Sequence, residues 1–350
     1  MIKILHTGDW HLDSPLQGRT PQQAAYLRRE LLKIPGKIAA LCKEQRCDLL
    51  LLSGDLFDGA YTQESYRTLY DALAGVQIPV FITPGNHDYL SPDSPYEREA
   101  FPENVHIFKK QQIEWVDIPG LDLRVYGAGF QSMDCPSLLE HFRAEEPAIG
   151  IFHGDPTQVN SPYNPVTKSQ VIQSGLRYLA LGHVHKGGSF RAGDTLCAWP
   201  GCPMGRGWDE EGEKGVLLVT LDADVQLRFV PLDTPRFYDL EADAAKGVTS
   251  VLPAVAGEDF YRVTLAGEAE AVDLDALQAE FAAFPNLVLR DHTCKPVDLW
   301  EHAGEDNFEG MYFGLLKNAL AEADSELQER ILLAAKLSRR ILEGQEVELP

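Results

Sequence analysis

Five short motifs bring together residue types that bind metal ions. The motifs are GDWH, GDLFD, GNHD, FHGD and GHVH, and they lie in the first part of a chain of 350 residues. Their candidate ligands are Asp9, His11, Asp55, Asn86, His153, His183 and His185. Oxygen and nitrogen ligands suit hard or borderline divalent ions, and the motifs contain no cysteine, the usual ligand of a structural zinc site. The motifs together predict a metal centre.

Each motif by itself is also typical of an ordinary turn. Gly-Asp pairs occur at turns, and a histidine beside a glycine is usually packed or solvated. Five of the ten histidines, however, stand directly after apolar runs or within a few residues of one. The glycine before Asp9, Asp55, Asn86 and His183 would let the chain turn sharply and approach its neighbours closely. We therefore expect these segments to be turns and ligand sites at once.

Short apolar runs predict the strands that position the motifs. IKILH, CDLLLLS, PVFIT, LRVYGAG, AIGIFH and YLALG are rich in Ile, Leu and Val and end in glycine or a polar residue. Ligands of open α/β sheets bind beyond the carboxyl ends of the strands, where most of the motifs lie. Residues 22–45 have a helical composition, and Pro35 with Gly36 is expected to break or kink that helix. The alternation predicts a layered α/β domain.

The rest of the chain predicts a hairpin, a small domain and a helical tail. KGVLLVTLD and VQLRFVPL are joined by DAD, which is typical of a hairpin. A shift in composition near Asp233 predicts three parts, namely a metal-binding domain 1–233, a small α/β domain 234–300 and a helical tail 301–350. In the tail, SELQ at Ser325 fits a capping box before an apolar stripe. The stripe consists of Leu327, Ile331, Ala334 and Ile341.

Charge and composition limit the classes of function. The chain has 31 Lys and Arg against 53 Asp and Glu, a formal net charge of −22, which repels nucleic acid at long range. The sequence has no run of eighteen apolar residues and no secretory pattern, so we expect no membrane span and a cytoplasmic location. The six cysteines form no CxxC pair and predict buried thiols rather than a disulfide framework.

The order of the five motifs resembles that of the calcineurin-like metallophosphoesterases, from Asp9 to His185. This resemblance implies a four-layer α/β/β/α sandwich that binds two divalent ions, with Asp55 bridging them. It further implies that His87 faces the scissile phosphate and that Asp58 orients His87. Asp88 is either a supporting residue or a plain turn residue. The implied ligand sets are Asp9, His11 and His185 for one ion, and Asn86, His153 and His183 for the other.

The resemblance also implies a chemistry. Two divalent ions lower the pKa of a bridging water, hold the phosphate oxygens and stabilise in-line displacement at phosphorus, so no side-chain nucleophile is needed. The similarity favours manganese, while iron, zinc and magnesium also suit these ligands. The chain is thus expected to be a phosphoesterase hydrolase.

The sequence around the motifs resembles a narrower group. HLDSPLQG, GNHDYLSP, YLALGHVHK and WPGCPMGRGWDEEGEKGVLLVTLD look like the bacterial SbcD-type DNA repair nuclease subunits, especially their shorter YhaO-like branch. This implies a DNA exonuclease or endonuclease subunit whose small α/β domain caps the active site. It also implies an SbcC-like coiled-coil ATPase docked on the tail, and a homodimer is compatible with it. Arg206 is the candidate contact to substrate among few basic residues near the motifs.

Two other functions stay open at this point. One is a phosphodiesterase or phosphatase for a small nucleotide or phosphometabolite, for which the acidic charge is no obstacle. The other is a scaffold that binds the ATPase and has lost catalysis, although every ligand position is filled, including His87. The stripe in the tail either docks on a partner or packs on its own domain.

Overall fold

A computed structural model of the chain describes residues 1–145, 147–296, 298–342 and 344. Strands β1 to β15 are Ile2–Thr7, Leu49–Leu52, Val80–Ile82, Val105–Ile107, Glu114–Ile118, Leu123–Gly127, Ala148–His153, Tyr178–Gly182, Lys186–Ala192, Thr195–Gly201, Gly215–Leu221, Val225–Pro231, Phe237–Asp243, Phe260–Glu268 and Leu287–Cys294. Helices α1 to α7 are Pro21–Gln45, Gln63–Val76, Pro95–Arg98, Lys168–Ser174, Leu274–Glu280, Phe308–Glu322 and Ser325–Leu342.

Twelve of the strands form two six-stranded sheets. Their orders are β12-β11-β1-β2-β3-β4 and β5-β6-β7-β8-β10-β9. Strands β1 to β4 are parallel, and so are β6, β7 and β8. The parallel strands of each sheet therefore end at one edge. Strands β11 and β12 form the predicted antiparallel hairpin.

The four leucines of β2 show how the layers form. All four are fully buried, and successive side chains point to opposite faces of a strand. Leu49 and Leu51 join a cluster that contains residues of both sheets, whereas Leu50 and Leu52 join a cluster with α1 and α2. A third cluster joins Val171 of α4 to the second sheet. The layers are thus helix, sheet, sheet and helix, and the predicted four-layer sandwich is confirmed.

Helix α1 continues through Pro35, so the break that the sequence predicts there does not occur. Leu31, Ile34 and Ile38 on either side of Pro35 are buried in the cluster shared with the first sheet. Packing of an apolar face supplies most of a helix's stability, and it outweighs the hydrogen bond that proline cannot donate.

Two compact units divide the chain. The first consists of Met1–Leu240, Leu252–Val263 and Gln278–Leu289, and the second of Glu241–Val251, Thr264–Leu277 and the described residues from 290 on. Strands β13, β14 and β15 form a three-stranded sheet with β14 in the middle. The predicted domain boundaries after residues 233 and 300 remain predictions.

The second unit contains the helical tail. Its small core consists of Leu299, Phe313 and Ala335. The buried side of α7 is formed by Ile331, Ala335 and Arg339, whereas Leu327 and Ile341 of the predicted stripe are exposed. In the described part of the chain, no helix is long and apolar enough to cross a membrane.

The start of α7 differs from the prediction. The side chain of Asp324 accepts the Leu327 N–H at 3.0 Å, and the Asp324 carbonyl accepts the Gln328 N–H. The residue that caps the helix is therefore Asp324. The sequence predicted the cap one residue later, at Ser325. A carboxylate is at least as good an acceptor for these free N–H groups as the Ser325 hydroxyl.

Candidate metal centre

The predicted motifs follow strand ends in both sheets. GDWH, GDLFD and GNHD follow β1, β2 and β3 of the first sheet, while His153 ends β7 and GHVH follows β8 of the second. The backbone N–H of His183 donates to the two Asp9 carboxylate oxygens at 2.8 and 3.1 Å. The carboxyl edges of the two sheets therefore meet at this point.

One group of candidate ligands consists of Asp9, His11 and His185, which we call the His185 group. Their ligand atoms lie within 4.8 Å of one another, and the Nε2 atoms of His11 and His185 are 3.1 Å apart. His185 Nδ1 lies 2.6 Å from a carboxylate oxygen of Glu210. Because the Nδ1–H of a neutral His185 donates to Glu210, its Nε2 directs a lone pair at His11.

A second group consists of Asn86, His153 and His183, which we call the His153 group. Asn86 Oδ1 lies 2.9 Å from His153 Nε2 and 3.0 Å from His183 Nδ1. His153 Nδ1 donates to the Ser53 carbonyl at 2.9 Å. The Nε2 lone pair of a neutral His153 therefore faces acceptor oxygens, an arrangement that is favourable only with a cation or a proton between them.

Asp55 lies between the two groups. Its Oδ2 is 3.3 Å from His153 Nε2 and 3.8 Å from His11 Nε2, and its side chain is 1 % exposed. Burial raises the pKa of Asp55, but the neighbouring His153 and His11 outweigh burial and bring the pKa below its usual value. A carboxylate in this position can contact ions held by either group.

The carboxylates concentrate negative potential at the centre. Burial lowers the pKa of His153, but Asp55 and Asp9 reverse this effect and raise it to about 9. Burial, together with the charge of His153, lowers the pKa of His183 to about 4. The buried carboxylates thus stabilise positive charge, which is the condition for binding cations.

His87 and Asp58 form a pair beside the centre. His87 Nδ1 lies 2.6 Å from Asp58 Oδ1, and the His87 side chain is 45 % exposed. This hydrogen bond raises the pKa of His87, while partial burial opposes it. Asp58 also lies 3.5 Å from His11 Nδ1, a buried atom with no hydrogen-bond partner among the described residues. The open Nε2 of His87 is therefore the side of the pair that can face a substrate.

Backbone strain is concentrated on the candidate ligands themselves. Asp9, Asp55 and His183 have φ values of 54°, 52° and 98°, a region that non-glycine residues rarely adopt. Of the four glycines that precede predicted ligands, Gly54 has a positive φ. Gly85 is needed for close approach, since a Cβ there would lie 2.2 Å from Asp55 Oδ1. The tight turns predicted from glycine thus depend on the ligand residues as well.

Asp88 supports the loops that carry the ligands. Its buried carboxylate accepts the N–H groups of Gly85 and Leu56, each at 2.7 Å, and the hydroxyl of Tyr96 at 2.6 Å. Burial and the charge of Asp55 raise the pKa of Asp88 to about 6. The sequence left Asp88 as either a supporting residue or a plain turn residue, and these contacts make it a supporting residue.

Glu210 is not among the site residues that the sequence predicts. Its buried carboxylate contacts His185 and also accepts from Arg206 Nη2 at 2.6 Å and from the Arg206 backbone N–H at 2.7 Å. Arg206 Nη1 lies 3.7 Å from Asp58 Oδ2, which places this predicted substrate contact beside the centre. Glu210 stands in WDEEGE among carboxylates of the same type, so the sequence offers no signal that separates it from its neighbours.

A buried polar cluster lies behind His153. His6 Nδ1 is 2.7 Å from the Tyr178 hydroxyl, and His6 Nε2 is 3.1 Å from Ser53 Oγ. Burial lowers the pKa of His6 to about 3, so its imidazole is neutral. Because the Ser53 carbonyl accepts from His153, this cluster fixes the residue that orients His153. His6 belongs to an apolar run, and nothing in the sequence marks it.

Comparison with known proteins identifies the family. Residues 2–187, over half of the chain, match the model described as Calcineurin-like phosphoesterase. The chain belongs to this family. All five motifs of this calcineurin-like phosphoesterase lie within the matched range, which ends beyond His185. The resemblance stated from the sequence is therefore confirmed.

Two relatives come from Bacillus subtilis (strain 168). "Uncharacterized metallophosphoesterase YhaO" is 31% identical over 250 residues, covering 65% of this chain and 60% of that protein. The SbcD subunit of the nuclease SbcCD is 24% identical over 265 residues, covering 62% of this chain and 66% of that protein. The chain thus spans less than two thirds of the length of either relative. TT1561 of Thermus thermophilus, a solved structure, is 17% identical with a TM-score of 0.43, covering 65% of this chain and 98% of that one; a score of this size adds nothing to the family assignment.

Proposed function

We propose that this calcineurin-like phosphoesterase is a two-metal phosphodiesterase that cleaves DNA. The observation that carries the proposal is the arrangement of acceptor atoms at the centre. His153 Nε2 faces Asn86 Oδ1 and Asp55 Oδ2, and the Nε2 atoms of His11 and His185 face each other at 3.1 Å. Lone pairs that converge without donors between them fit divalent cations.

The proposed ligands follow from these contacts. The His185 group would hold one ion, the His153 group the other, and Asp55 would contact both. Two such ions, when bound, supply an activated water and neutralise the phosphate charge. The nitrogen and oxygen donors fit manganese, which we propose, and they also fit iron, zinc and magnesium.

His87 is the proposed proton donor. Asp58 fixes its ring through Nδ1, so that Nε2 remains free to donate a proton to the leaving oxygen. The raised pKa of His87 keeps its imidazolium form present at higher pH. Arg206, anchored by Glu210, is the proposed contact for a substrate oxygen.

DNA is the proposed substrate because of the similarity to the SbcD subunit, a protein that is named as part of a nuclease. The net charge of −22 favours instead a small nucleotide or phosphometabolite, which is the second candidate substrate. Bound ions and a partner would offset part of this charge. For a DNA substrate, the proposed location is the cytoplasm, and exonuclease or endonuclease action is equally compatible with the centre.

An SbcC-like coiled-coil ATPase is the proposed partner, with the tail as its docking surface. Phe308, Met311 and Leu315 of α6 are 77%, 57% and 70% exposed and recur at the spacing of one helix face. Leu315→Asp should abolish co-purification with such an ATPase, whereas Asn318→Asp on the same helix should not. Retained binding by the first variant would contradict this docking surface.

A metal-screened nuclease assay tests the proposed function. The chain is incubated with manganese, iron, zinc or magnesium and with blunt and hairpin duplexes, mononucleotides and cyclic esters, with and without a coiled-coil ATPase. Release of nucleotides from the duplexes, lost on chelation, is the expected result. Turnover of mononucleotides or cyclic esters alone would favour the second candidate substrate.

A further inference from the structure

A cavity of about 590 Å³ lies beside the metal centre, within the first unit. Its volume falls in the range of about 300–1,000 Å³ that is usual for ligand pockets. Three arginines, Arg19, Arg206 and Arg262, contribute to its wall together with Trp208. Asp209 and Glu210 line the same cavity, so three arginines face two carboxylates in a chain with a net charge of −22.

Arg206 connects the cavity with the centre. Its Nη2 lies 3.2 Å from His185 Nδ1, and its backbone carbonyl accepts from Arg19 Nη2 at 3.1 Å. Only Arg206 therefore lies between the guanidinium of Arg19 and His185, a proposed metal ligand. A substrate at the centre could reach Arg19 with a neighbouring group.

Two of the three arginines are already neutralised. Arg206 is bonded to the buried carboxylate of Glu210, and Arg262 is bonded to Asp239. Arg19, by contrast, makes one hydrogen bond among the described residues, and its acceptor is the neutral carbonyl of Arg206. Of these three guanidinium groups, Arg19 has the greatest remaining capacity for an anion.

The position of Arg19 is fixed in advance by aromatic rings. Its Cζ lies 5.2 Å from the centroid of Trp208 and 4.9 Å from that of Phe237, and Arg262 lies 4.9 Å from Trp208. Contacts of this kind hold a guanidinium without neutralising its charge. Burial lowers the pKa of Arg19, and Arg262 adds to this effect while Asp209 opposes it. A bound anion would offset both the cost of burying the Arg19 charge and the repulsion between Arg19 and Arg262.

We propose that this cavity binds a second, non-scissile phosphate of the substrate, with Arg19 as its main contact. Guanidinium groups suit this role because they match phosphate oxygens with two parallel N–H donors. The inference rests on the proposed function, since it assumes that a phosphoester occupies the centre. The second phosphate belongs either to the next nucleotide of a strand or to a small bisphosphate.

Inhibition measurements with matched nucleotides test this proposal. Thymidine 3′,5′-bisphosphate and thymidine 5′-monophosphate compete with bis-p-nitrophenyl phosphate on the manganese-loaded protein. The bisphosphate should inhibit the unchanged chain about tenfold more strongly than the monophosphate, the size expected of one charge-assisted contact. Arg19→Ala should remove this difference, and Arg19→Lys should retain part of it. Arg29→Ala, which removes an exposed charge from α1, should leave it unchanged.

Equal inhibition by the two nucleotides, or an equal loss in Arg19→Ala and Arg29→Ala, would overturn the proposal. If bis-p-nitrophenyl phosphate is not hydrolysed with any metal, the proposed function fails instead. Calorimetric titration of the same two nucleotides into the unchanged chain and into Arg19→Ala then tests separately whether the cavity binds the second phosphate. Circular dichroism of Arg19→Ala verifies that the variant is folded.

A modified oligonucleotide separates the two sources of the phosphate. One strand carries an uncharged methylphosphonate at the linkage next to the cleaved bond. If the phosphate comes from a strand, this change should raise KM for the unchanged chain about tenfold and leave KM for Arg19→Ala nearly unaltered. If only the bisphosphate responds to Arg19→Ala, the source is a small molecule.

Discussion

The His153 group and the His185 group are held in place by different kinds of contact. His153 donates to the carbonyl of Ser53, a backbone atom directly after β2, whereas His185 donates to the side chain of Glu210. A backbone acceptor cannot be removed by substitution, but a carboxylate can. The two halves of the centre should therefore respond differently to mutation, which gives a way to examine each half separately.

Asp55→Ala should have the largest effect because Asp55 contacts both groups. We expect loss of both ions and a fall in phosphodiester hydrolysis of at least about a thousandfold, since both metal sites lose an anionic ligand. Metal content by mass spectrometry and turnover of bis-p-nitrophenyl phosphate measure the two effects. Asp71→Ala, which removes an exposed carboxylate from α2, is the control. Full activity of Asp55→Ala would refute the two-metal proposal.

His87→Ala should leave both groups intact and still slow the reaction. General acid catalysis contributes about 10²- to 10⁴-fold, so we expect kcat to fall within that range at unchanged metal content. His141→Ala removes an exposed imidazole and should have no effect. A His87→Ala protein that has lost its metals would show that His87 is a ligand instead of a proton donor.

Of the two metal-binding groups, Glu210→Gln should affect only the His185 group. Loss of a carboxylate that orients a metal-binding histidine weakens affinity by about 10- to 100-fold. We therefore expect a calorimetric manganese titration to show one weakened site and one unchanged site. Glu211→Gln, an exposed neighbour, is the matched control. Equal weakening of both sites would mean that the two groups do not form independent halves.

The smallest effect concerns His6, behind the His153 group. The native pKa of about 3 lies below the ordinary value of 6.5, so below pH 6.5 the unfolded chain binds a proton that the native chain does not. This contribution to stability is present above pH 6.5 and is lost as the pH falls toward 3, by up to about 1.4 kcal/mol per pH unit. His6→Gln should reduce the slope of stability between pH 6.5 and 5, measured by urea unfolding in a chelator. Equal slopes for this variant and the unchanged chain would contradict the prediction.

The sequence predicts much of the sandwich and its ligands for a simple physical reason. Strands buried on both faces, such as Leu49–Leu52, leave continuous apolar runs, and polar residues that follow such runs fall on one sheet edge. Contacts between distant side chains leave no such pattern. Glu210 is one of several similar carboxylates, and the support that His6 gives to Ser53 depends on packing between the two sheets.

Local signals failed where packing outweighed them. Pro35 with Gly36 predicts a break or a kink, and the break does not occur because burial of Ile34 and Ile38 keeps α1 continuous. In α7, the buried side shares only Ile331 with the predicted stripe, whereas Leu327 and Ile341 of that stripe are exposed. Nothing in the sequence distinguishes Arg19 from a solvated surface arginine, yet its guanidinium lies over the ring of Trp208.

The hydrogen bonds from His183 to Asp9 join residues that are 174 positions apart in the chain. During synthesis, no nascent chain that stops short of His185 contains the complete ligand set. Ions bound at this centre would therefore close the long loop between Asp9 and His183, which joins one sheet to the other. Metal uptake by the newly made protein would then report that the carboxyl edges of the two sheets have come together.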